Sequence, residues 1–198
     1  MDLEVAVADG ARTISEIDVL CDQAELFGSV ASDSTCWRLL DSLDDTALAQ
    51  VVAARARARE VVWDQDAERY GRAFPPARVA GHDLDVLVID LDASIVVCHS
   101  EREQAAATFK RTFDYRPLMA FCDNTSEFLV GVACRGNAGA ITAADHVDVF
   151  DQALAQIPDQ HRHGRPALVR ADTAGCTKAF LTHIRSRRGR TVCEFSVG

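Results

Sequence analysis

Residues 88–94, Val-Ile-Asp-Leu-Asp-Ala-Ser, indicate both the fold and the site of this 198-residue chain. They lie in an apolar run over 84–97, rich in Val, Ile and Leu, which predicts a strand or two strands with a bend. Because side chains alternate across a strand, Asp90 and Asp92 share one face. Two neighbouring carboxylates repel each other, and a divalent cation such as Mg²⁺ or Mn²⁺ would relieve that repulsion. The alternative is that both acids lie at a strand end in water.

A third acid follows another short apolar run. Residues 168–175, Leu-Val-Arg-Ala-Asp-Thr-Ala-Gly, predict a strand that runs directly into Asp172. Acids just past the carboxyl end of a strand are well placed for a site in an open α/β sheet. We therefore expect Asp172 to be a metal ligand together with Asp90 and Asp92. The alternative is that Asp172 caps the helix that follows it.

The second half of the chain predicts strands first and then alternating helices and strands. After the run that contains Asp92, the predicted elements are strands at 118–122 and 128–133, a helix over 142–157, a strand at 167–171, a helix over 175–187 and a strand at 191–197. This order predicts a mixed α/β sheet with flanking helices. It is also the order of a ribonuclease-H-like fold up to its fifth strand.

The first half predicts three segments. Residues 1–25 are acidic and weakly patterned, which predicts a poorly ordered lead-in, and residues 26–70 predict a helical segment. Residues 71–83 contain two glycines and two prolines and predict a linker. A helix over 44–65 has apolar residues at steps of three and four, which predicts a buried stripe. The stripe consists of Leu43, Ala47, Val51, Ala54, Ala58 and Val61.

Composition and charge exclude several classes of protein. With 48% hydrophobic and 26% charged residues, the chain is neither disordered nor collagen-like. It has no apolar run of the ~20 residues that a membrane span needs, and residues 1–10 lack the bases of a signal peptide. We therefore expect a cytoplasmic protein. Although the net charge is −9, residues 161–190 carry eight bases and one acid, so this segment faces either a phosphate backbone or solvent.

Other candidate motifs are weak. The seven cysteines form no C-x-x-C pair, so we expect mostly buried core residues rather than a disulfide framework. The spacing of His161, His163 and Cys176 matches no standard zinc site, and we interpret His146 as structural. The glycines of residues 136–139 do not complete a dinucleotide or phosphate-loop motif, and no G-x-S-x-G serine-hydrolase motif is present.

Eight segments, in order along nearly the whole chain, carry a family resemblance. They are residues 17–20, 30–35, 88–96, 100–110, 115–121, 135–139, 142–146 and 168–172. In these segments the chain resembles the DDE transposases of the IS1380 group of insertion sequences. The resemblance implies that 84–198 is the N-terminal part of a ribonuclease-H-like catalytic domain with an Asp, Asp, Glu triad. By motif match, Asp92 is the first acid and Asp172 the second, and Asp90 is a same-face neighbour.

The resemblance also implies the chemistry and the partners. Enzymes of this kind cleave and transfer DNA strands with two Mg²⁺ (or Mn²⁺) ions at the triad. The implied partners are the DNA of the transposon ends and of the target, together with a second copy in the intact enzyme. The implied location is the bacterial cytoplasm, at the nucleoid when DNA is bound.

The chain departs from the family pattern in three ways. Ser94 stands where threonine is usual, and Ile141 stands where a polar residue is common. The catalytic glutamate should lie on a helix beyond the fifth strand, past Gly198. Three glutamates of this chain do not match the motif of that catalytic residue: Glu101, Glu103 and Glu194. We therefore expect a truncated fragment that binds the metal weakly and has little or no activity.

Two other functions fit part of the sequence. In a haloacid-dehalogenase-type phosphatase, Asp90 would be the nucleophile and Asp92 the general acid, with Lys178 as the downstream lysine. That class also needs a further acidic pair, and Asp172 has no acidic companion nearby. In a non-catalytic DNA-binding remnant, residues 26–65 would bind DNA or form oligomers.

Overall fold

The computed structural model describes residues 2–79, 81–94, 96–97, 106–107, 113–135, 141–163, 166–172, 175, 177–187 and 192–197. The chain divides into two units, Met1–Val52 and Ala53–Gly198, and the boundary falls inside helix α5 (Asp45–Tyr70). This boundary lies earlier than the end of the predicted helical segment at residue 70. Each unit has its own set of buried apolar residues.

The first unit is helical from its start, which corrects the expectation of a poorly ordered lead-in over 1–25. Its elements before α5 are α1 (Asp2–Ala8), a 3-10 helix (Ile14–Ile17), α2 (Asp18–Cys21), α3 (Ala24–Phe27) and α4 (Asp33–Asp41). Ala6, Ile17, Leu20 and Cys36 form a small buried cluster that holds them together. These apolar residues are spaced too irregularly to show one periodic stripe, which is why the sequence pattern misses them. Ser32 is the N-cap of α4, and its side chain accepts a hydrogen bond from the Thr35 N–H.

Helix α5 buries a different face from the predicted one. Val51 and Val61, both in the predicted stripe, are 48% and 55% exposed, whereas Arg59 and Trp63 are 3% and 2% exposed. The guanidinium of Arg59 donates from Nη1 to the Gln156 carbonyl at 2.8 Å and from Nε to Glu127 at 3.2 Å. An arginine can be buried when its charge and donors are satisfied. A pattern of apolar residues alone therefore identifies the wrong face.

The predicted linker over 71–83 contains a small hairpin. Strands β1 (Ala77–Val79) and β2 (His82–Leu84) pair antiparallel, and Gly81 in their connection has a φ of +84°. Positive φ is typical of the tight turns that join two strands, and it favours glycine. Ala73 and Phe74 are buried in the core of the second unit. Much of this segment therefore belongs to the folded unit.

The main sheet confirms the predicted mixed α/β fold. Its strands are β3 (Leu87–Ala93), β4 (Val96–Val97), β5 (Ala106–Ala107), β6 (Phe113–Cys122), β7 (Glu127–Arg135), β8 (Pro166–Ala171) and β9 (Val192–Val197). The five longer strands lie in the order β7-β6-β3-β8-β9, with β6 antiparallel to β3 and to β7, and with β3, β8 and β9 parallel. Strands β4 and β5 both pair with β6. The order 3-2-1-4-5, with an antiparallel second strand, is ribonuclease-H-like.

Three helices complete the second unit: α6 (Ala143–Gln156), α7 (Asp159–Arg162) and α8 (Lys178–Ser186). Thr142 and Asp145 form a capping box at the start of α6, where the sequence predicts a helix over 142–157. Phe150 and Leu154 of α6 and Phe180 and Ile184 of α8 are buried, whereas Val147 is half-buried. Among the described residues, no helix combines the length and the hydropathy that crossing a bilayer requires.

Candidate active site

The two acids that match the family motif lie at the carboxyl ends of neighbouring parallel strands, Asp92 as the penultimate residue of β3 and Asp172 directly after β8. Strands β3 and β8 pair in parallel with Leu91 opposite Ala171. Asp92 and Asp172 come one residue later on each chain segment, at the carboxyl ends of the two strands. Register partners in neighbouring strands lie about 4.8 Å apart. The topology therefore brings these two residues, distant in sequence, to one edge of the sheet, where both are exposed.

Asp90 lies two residues earlier on β3 and has a protein partner. Its register partner on β8 is Arg170, and the two side chains form a bidentate pair, with Nε and Nη2 of Arg170 each 2.5 Å from a carboxylate oxygen. Nη2 of Arg170 also lies 2.8 Å from the carboxylate of Asp123, the first residue after β6. The expected metal ligand Asp90 is thus neutralised by an arginine. An apolar strand predicts that a carboxylate needs a partner, but it does not predict which one.

The Asp90–Arg170 pair has an electrostatic consequence. The hydrogen bonds to Asp90, and the negative charges of Asp90 and Asp123, raise the pKa of Arg170 above its already high ordinary value. The guanidinium is therefore a permanent positive charge on the face that also carries Asp92. A bidentate arginine–carboxylate pair also restricts the orientation of the two side chains more than a single hydrogen bond does. The phosphatase alternative requires Asp90 as a free nucleophile, and this geometry disfavours it.

The carboxylates of Asp92 and Asp172 each accept a local hydrogen bond. Ser94 donates from Oγ to Asp92 at 3.1 Å, and the backbone N–H of Gly175 donates to Asp172 at 3.3 Å. Mg²⁺ is commonly bound through one or two carboxylates together with substrate phosphates, so this donor set fits such an ion. Within the described ranges, no group of three or more His, Cys, Asp or Glu side chains is placed to hold a metal. Two carboxylates are therefore what this part of the chain offers.

The segment after Asp172 is tightly packed. A Cβ on Gly175 would lie 2.7 Å from Cβ of Ala171 and 3.4 Å from the ring of His146, so only glycine fits without a shift. His146 is 1% exposed, and its Nδ1 lies 2.9 Å from the Thr142 carbonyl oxygen. The interpretation of His146 as structural agrees with this burial. The close approach holds the chain after β8 against α6.

Asn124, in the turn between β6 and β7, is a positioning residue that the sequence patterns do not identify. It is 7% exposed, its Oδ1 accepts the N–H of Val88 at 2.8 Å, and its Nδ2 donates to the carbonyls of Pro75 and Val86 at 3.0 Å each. One buried amide thus joins the β6–β7 turn to the start of β3. Asparagine is common in turns, and this preference is the sequence signal that could have identified Asn124. Its hydrogen-bond partners are remote in sequence, so no local pattern indicates them.

The weak zinc candidates do not form a site in the described part of the chain. His161 is buried, and its ring centroid lies 5.3 Å from that of Trp63 and 5.8 Å from that of Phe74. His163 lies 3.9 Å from a carboxylate oxygen of Asp159. Cys176 lies outside the described residues, as does the glycine loop at 136–139. Of the cysteines whose side chains are described, Cys36 and Cys122 are buried and Cys21 is exposed.

The basic segment 161–190 is partly neutralised within the fold. Three of its bases pair with acids of the chain: Arg162 with Asp159, Arg170 with Asp90 and Asp123, and Arg187 with Asp151. Lys178, at the first position of α8, is exposed. Arg165, Arg188 and Arg190 lie outside the described residues. The net charge of the segment therefore overstates the positive charge that it presents to a partner.

The order and the directions of the strands are those of a ribonuclease-H-like fold. Over residues 8–198 the chain matches the family model for the transposase DDE domain, group 1. The chain therefore belongs to the DDE transposase family. No curated protein is similar enough in sequence to match it.

Solved structures of low sequence identity are also similar to the chain. The piggyBac transposase synaptic complex with hairpin DNA has 13% identity and a TM-score of 0.43, and the match covers 100% of this chain and 40% of that one. The Mos1 strand transfer complex has 9% identity and a TM-score of 0.36, covering 100% and 57%. The simian T-cell lymphotropic virus intasome, in complex with a PP2A regulatory subunit, has 13% identity and a TM-score of 0.39, covering 63% and 36%. The chain thus spans between about a third and three fifths of their lengths.

Proposed function

We propose that this chain carries part of the catalytic centre of a DNA transposase, with Asp92 and Asp172 as two of its metal-binding acids. The observation that carries the proposal is the parallel pairing of β3 and β8 with Leu91 opposite Ala171. In a chain of the DDE family, this register supports a shared site at the ends of the two strands. The IS1380 group is the finer assignment that we propose, on the segments that resemble it.

The divalent ion would be held by Asp92 and Asp172. Their carboxylates are exposed, and hard oxygen donors of this kind suit Mg²⁺ and Mn²⁺. When bound, the ion supplies Lewis-acid activation of the attacking hydroxyl and of the scissile phosphate. The residues of the chain contribute the position and the negative charge of the site. Ser94 restrains the carboxylate of Asp92 through its hydrogen bond.

DNA is the substrate that this chemistry implies, and a cation beside the acids would help to bind its phosphates. Lys178 is exposed at the start of α8, the helix that follows β8 and Asp172. We expect phosphate contacts to come from the basic segment 161–190, in which Lys178 is exposed, whereas Arg162, Arg170 and Arg187 are paired with acids. Such binding falls steeply as salt rises, because counterion release drives it.

We also propose low activity for this chain by itself. The triad of the family has three acids; by motif match Asp92 and Asp172 are two of them, and Glu101, Glu103 and Glu194 do not match the motif of the third. Weak metal binding and poor nicking follow, because one ion would have an incomplete set of ligands. In the complete enzyme, a second copy of the chain would assist in pairing the transposon ends.

The test is a plasmid-nicking and oligonucleotide strand-transfer assay with Mn²⁺. The wild-type chain is compared with an Asp92→Ala, Asp172→Ala double variant, and Mn²⁺ binding is measured in parallel by calorimetry. A matched control is Asp148→Ala, which removes an exposed acid of α6. We expect Mn²⁺ binding that the double variant loses and the control keeps, with nicking that is weak or absent.

Two results bear on the proposal in different ways. Mn²⁺ binding or nicking that the double variant retains would overturn the assignment of Asp92 and Asp172. Robust transposition that the double variant abolishes would confirm the two acids but contradict the expectation of low activity. A third acid would then lie within the 198 residues, and Glu194 would be the first to substitute. Lys178→Ala, measured by fluorescence anisotropy across a salt series, tests the phosphate contact.

A further inference from the structure

The Asp90–Arg170 pair lies directly beside the proposed metal ligands. Asp90 precedes Asp92 by two residues on β3, and Arg170 precedes Asp172, the first residue after β8, by two residues. Residues two apart on a strand share a face, and their Cα atoms lie about 7 Å apart. The Asp90–Arg170 pair, here called the inner rung, therefore lies on the face of β3 that also carries Asp92, and Asp92 with Asp172 at the strand ends is the outer rung. The transposase proposal uses only the outer rung, and the inner rung has no role in it.

Without Arg170 this face would carry a high density of negative charge. Asp90, Asp92 and Asp172 all lie near the ends of β3 and β8, and Asp123 reaches the same guanidinium from the turn after β6. Arg170 holds Asp90 through two hydrogen bonds and Asp123 through one contact at 2.8 Å. Both oxygens of Asp90 are occupied by the arginine. In this arrangement Asp90 cannot turn toward an ion at the outer rung without breaking a bidentate pair.

We propose that Arg170 is a positioning residue of the metal site, which keeps Asp90 from binding the ion and thereby sets the charge at the site. The inference rests on the proposed function, because it concerns the same ion. The ion is bound by Asp92 and Asp172, and Asp90 acts only through its pair with Arg170. The arginine also joins β3, β8 and the β6–β7 turn at the level just below the site.

This role predicts substitution effects of opposite sign. Arg170→Gln frees the carboxylate of Asp90 and should strengthen Mn²⁺ binding. Asp90→Asn leaves Arg170 with only Asp123 as its counterion and should weaken Mn²⁺ binding. Each change should be about 3- to 10-fold, the size expected of a unit charge about 7 Å from a divalent ion in surroundings of high dielectric constant. The Asp90→Asn, Arg170→Gln double variant has neither charge. Because the two effects then cancel, its Mn²⁺ affinity should lie within about 2-fold of the wild-type value.

The experiment measures Mn²⁺ affinity by isothermal titration calorimetry on the full 198-residue chain, wild type and the three variants. Arg187 and Asp151 supply the matched control, because they form an Arg–Asp pair between the end of α8 and α6, away from the carboxyl ends of the strands. Arg187→Gln and Asp151→Asn change the net charge by the same amount and should leave the affinity unchanged. Asp92→Asn should lower the Mn²⁺ affinity by about 10-fold or more in every background.

The outcomes separate this inference from the proposed function. If the wild type shows no Asp92-dependent binding, the metal site itself is overturned, and this inference fails with it. If wild-type binding depends on Asp92 but Arg170→Gln and Asp90→Asn shift the affinity in the same direction, only the role of Arg170 is overturned. A purely structural role gives that pattern, because each single variant would weaken the site and the double would not recover it.

The role of Arg170 can be tested even if one of the variants fails to fold. Circular dichroism melts identify any variant that fails to fold. If Arg170→Gln does so, Arg170→Lys keeps the charge and should bind Mn²⁺ within about 2-fold of wild type, while Asp90→Asn still weakens binding. Weaker binding by Arg170→Lys, together with unchanged binding by Asp90→Asn, would contradict the proposed charge effect.

Discussion

Leu91 of β3 lies opposite Ala171 of β8, and this pairing leads Asp92 and Asp172 to adjacent strand ends. If the two acids share one ion, their substitutions cannot act independently. Asp92→Asn and Asp172→Asn should each lower Mn²⁺ affinity by about 10-fold or more, and the double variant should lose less than the product of the two effects. Calorimetric titration of the four proteins measures this coupling. Fully multiplicative effects would indicate two separate sites.

Asn124 joins the β6–β7 turn to β3 through three hydrogen bonds. Asn124→Ala leaves the buried N–H of Val88 and two carbonyls without these bonds, so we expect the free energy of unfolding to fall by about 2–4 kcal/mol. Urea denaturation measures the change. The control is Thr125→Ala, which removes one part-buried hydrogen bond to Glu127 and should cost about 1 kcal/mol. Equal losses for the two variants would contradict the role of Asn124.

Arg59 on α5 is buried and contacts Glu127 of β7 and the carbonyl of Gln156. Arg59→Met keeps the apolar stem but removes the charge and the hydrogen bonds to Glu127 and to the Gln156 carbonyl, so we expect a loss of about 3 kcal/mol in the free energy of unfolding. Arg57→Met, at an exposed position of the same helix, should change it by less than about 0.5 kcal/mol. Similar values for the two would mean that the face assigned to α5 is wrong.

Leu154 is 5% exposed on the inner face of α6. Leu154→Ala removes buried apolar volume and should destabilise the chain by roughly 2–5 kcal/mol, depending on how far the core relaxes. Gln152→Ala on the exposed face of the same helix is the control, and its effect should stay within about 0.5 kcal/mol. Thermal or urea unfolding measures both. A small effect of Leu154→Ala would argue against a tightly packed α6.

Burial raises the pKa of the Cys122 thiol above its ordinary value of 9.0. The folded chain therefore keeps a proton that the unfolded chain loses in alkali. The sign follows from linkage: the stabilisation is fully present below about pH 9 and is lost as pH rises toward the folded pKa. The free energy of unfolding should fall between about pH 8 and about pH 10, and less so in Cys122→Ala. An identical decline in both proteins would show that folding does not raise the pKa of this thiol.

Local patterns in the sequence predict much of the second unit. The strand around Asp90, the β6–β7 hairpin and the capping box of α6 depend on residues close together along the chain, and all three are present. Alternation along one strand is likewise enough to place Asp90 and Asp92 on a common face. The order of the strands, recognised through a family resemblance, also predicts the ribonuclease-H-like sheet.

The partners of buried polar groups could not be predicted in the same way. Arg59 finds its acceptors on β7 and at the end of α6, Asn124 finds its own around β3, and Arg170 neutralises Asp90 across two strands. Which residue neutralises a charge depends on segments that only the folded chain brings together, and no periodicity records it. The sequence by itself therefore determined the strand that carries Asp90 and Asp92, and the tertiary structure decided that Arg170 is the partner of Asp90.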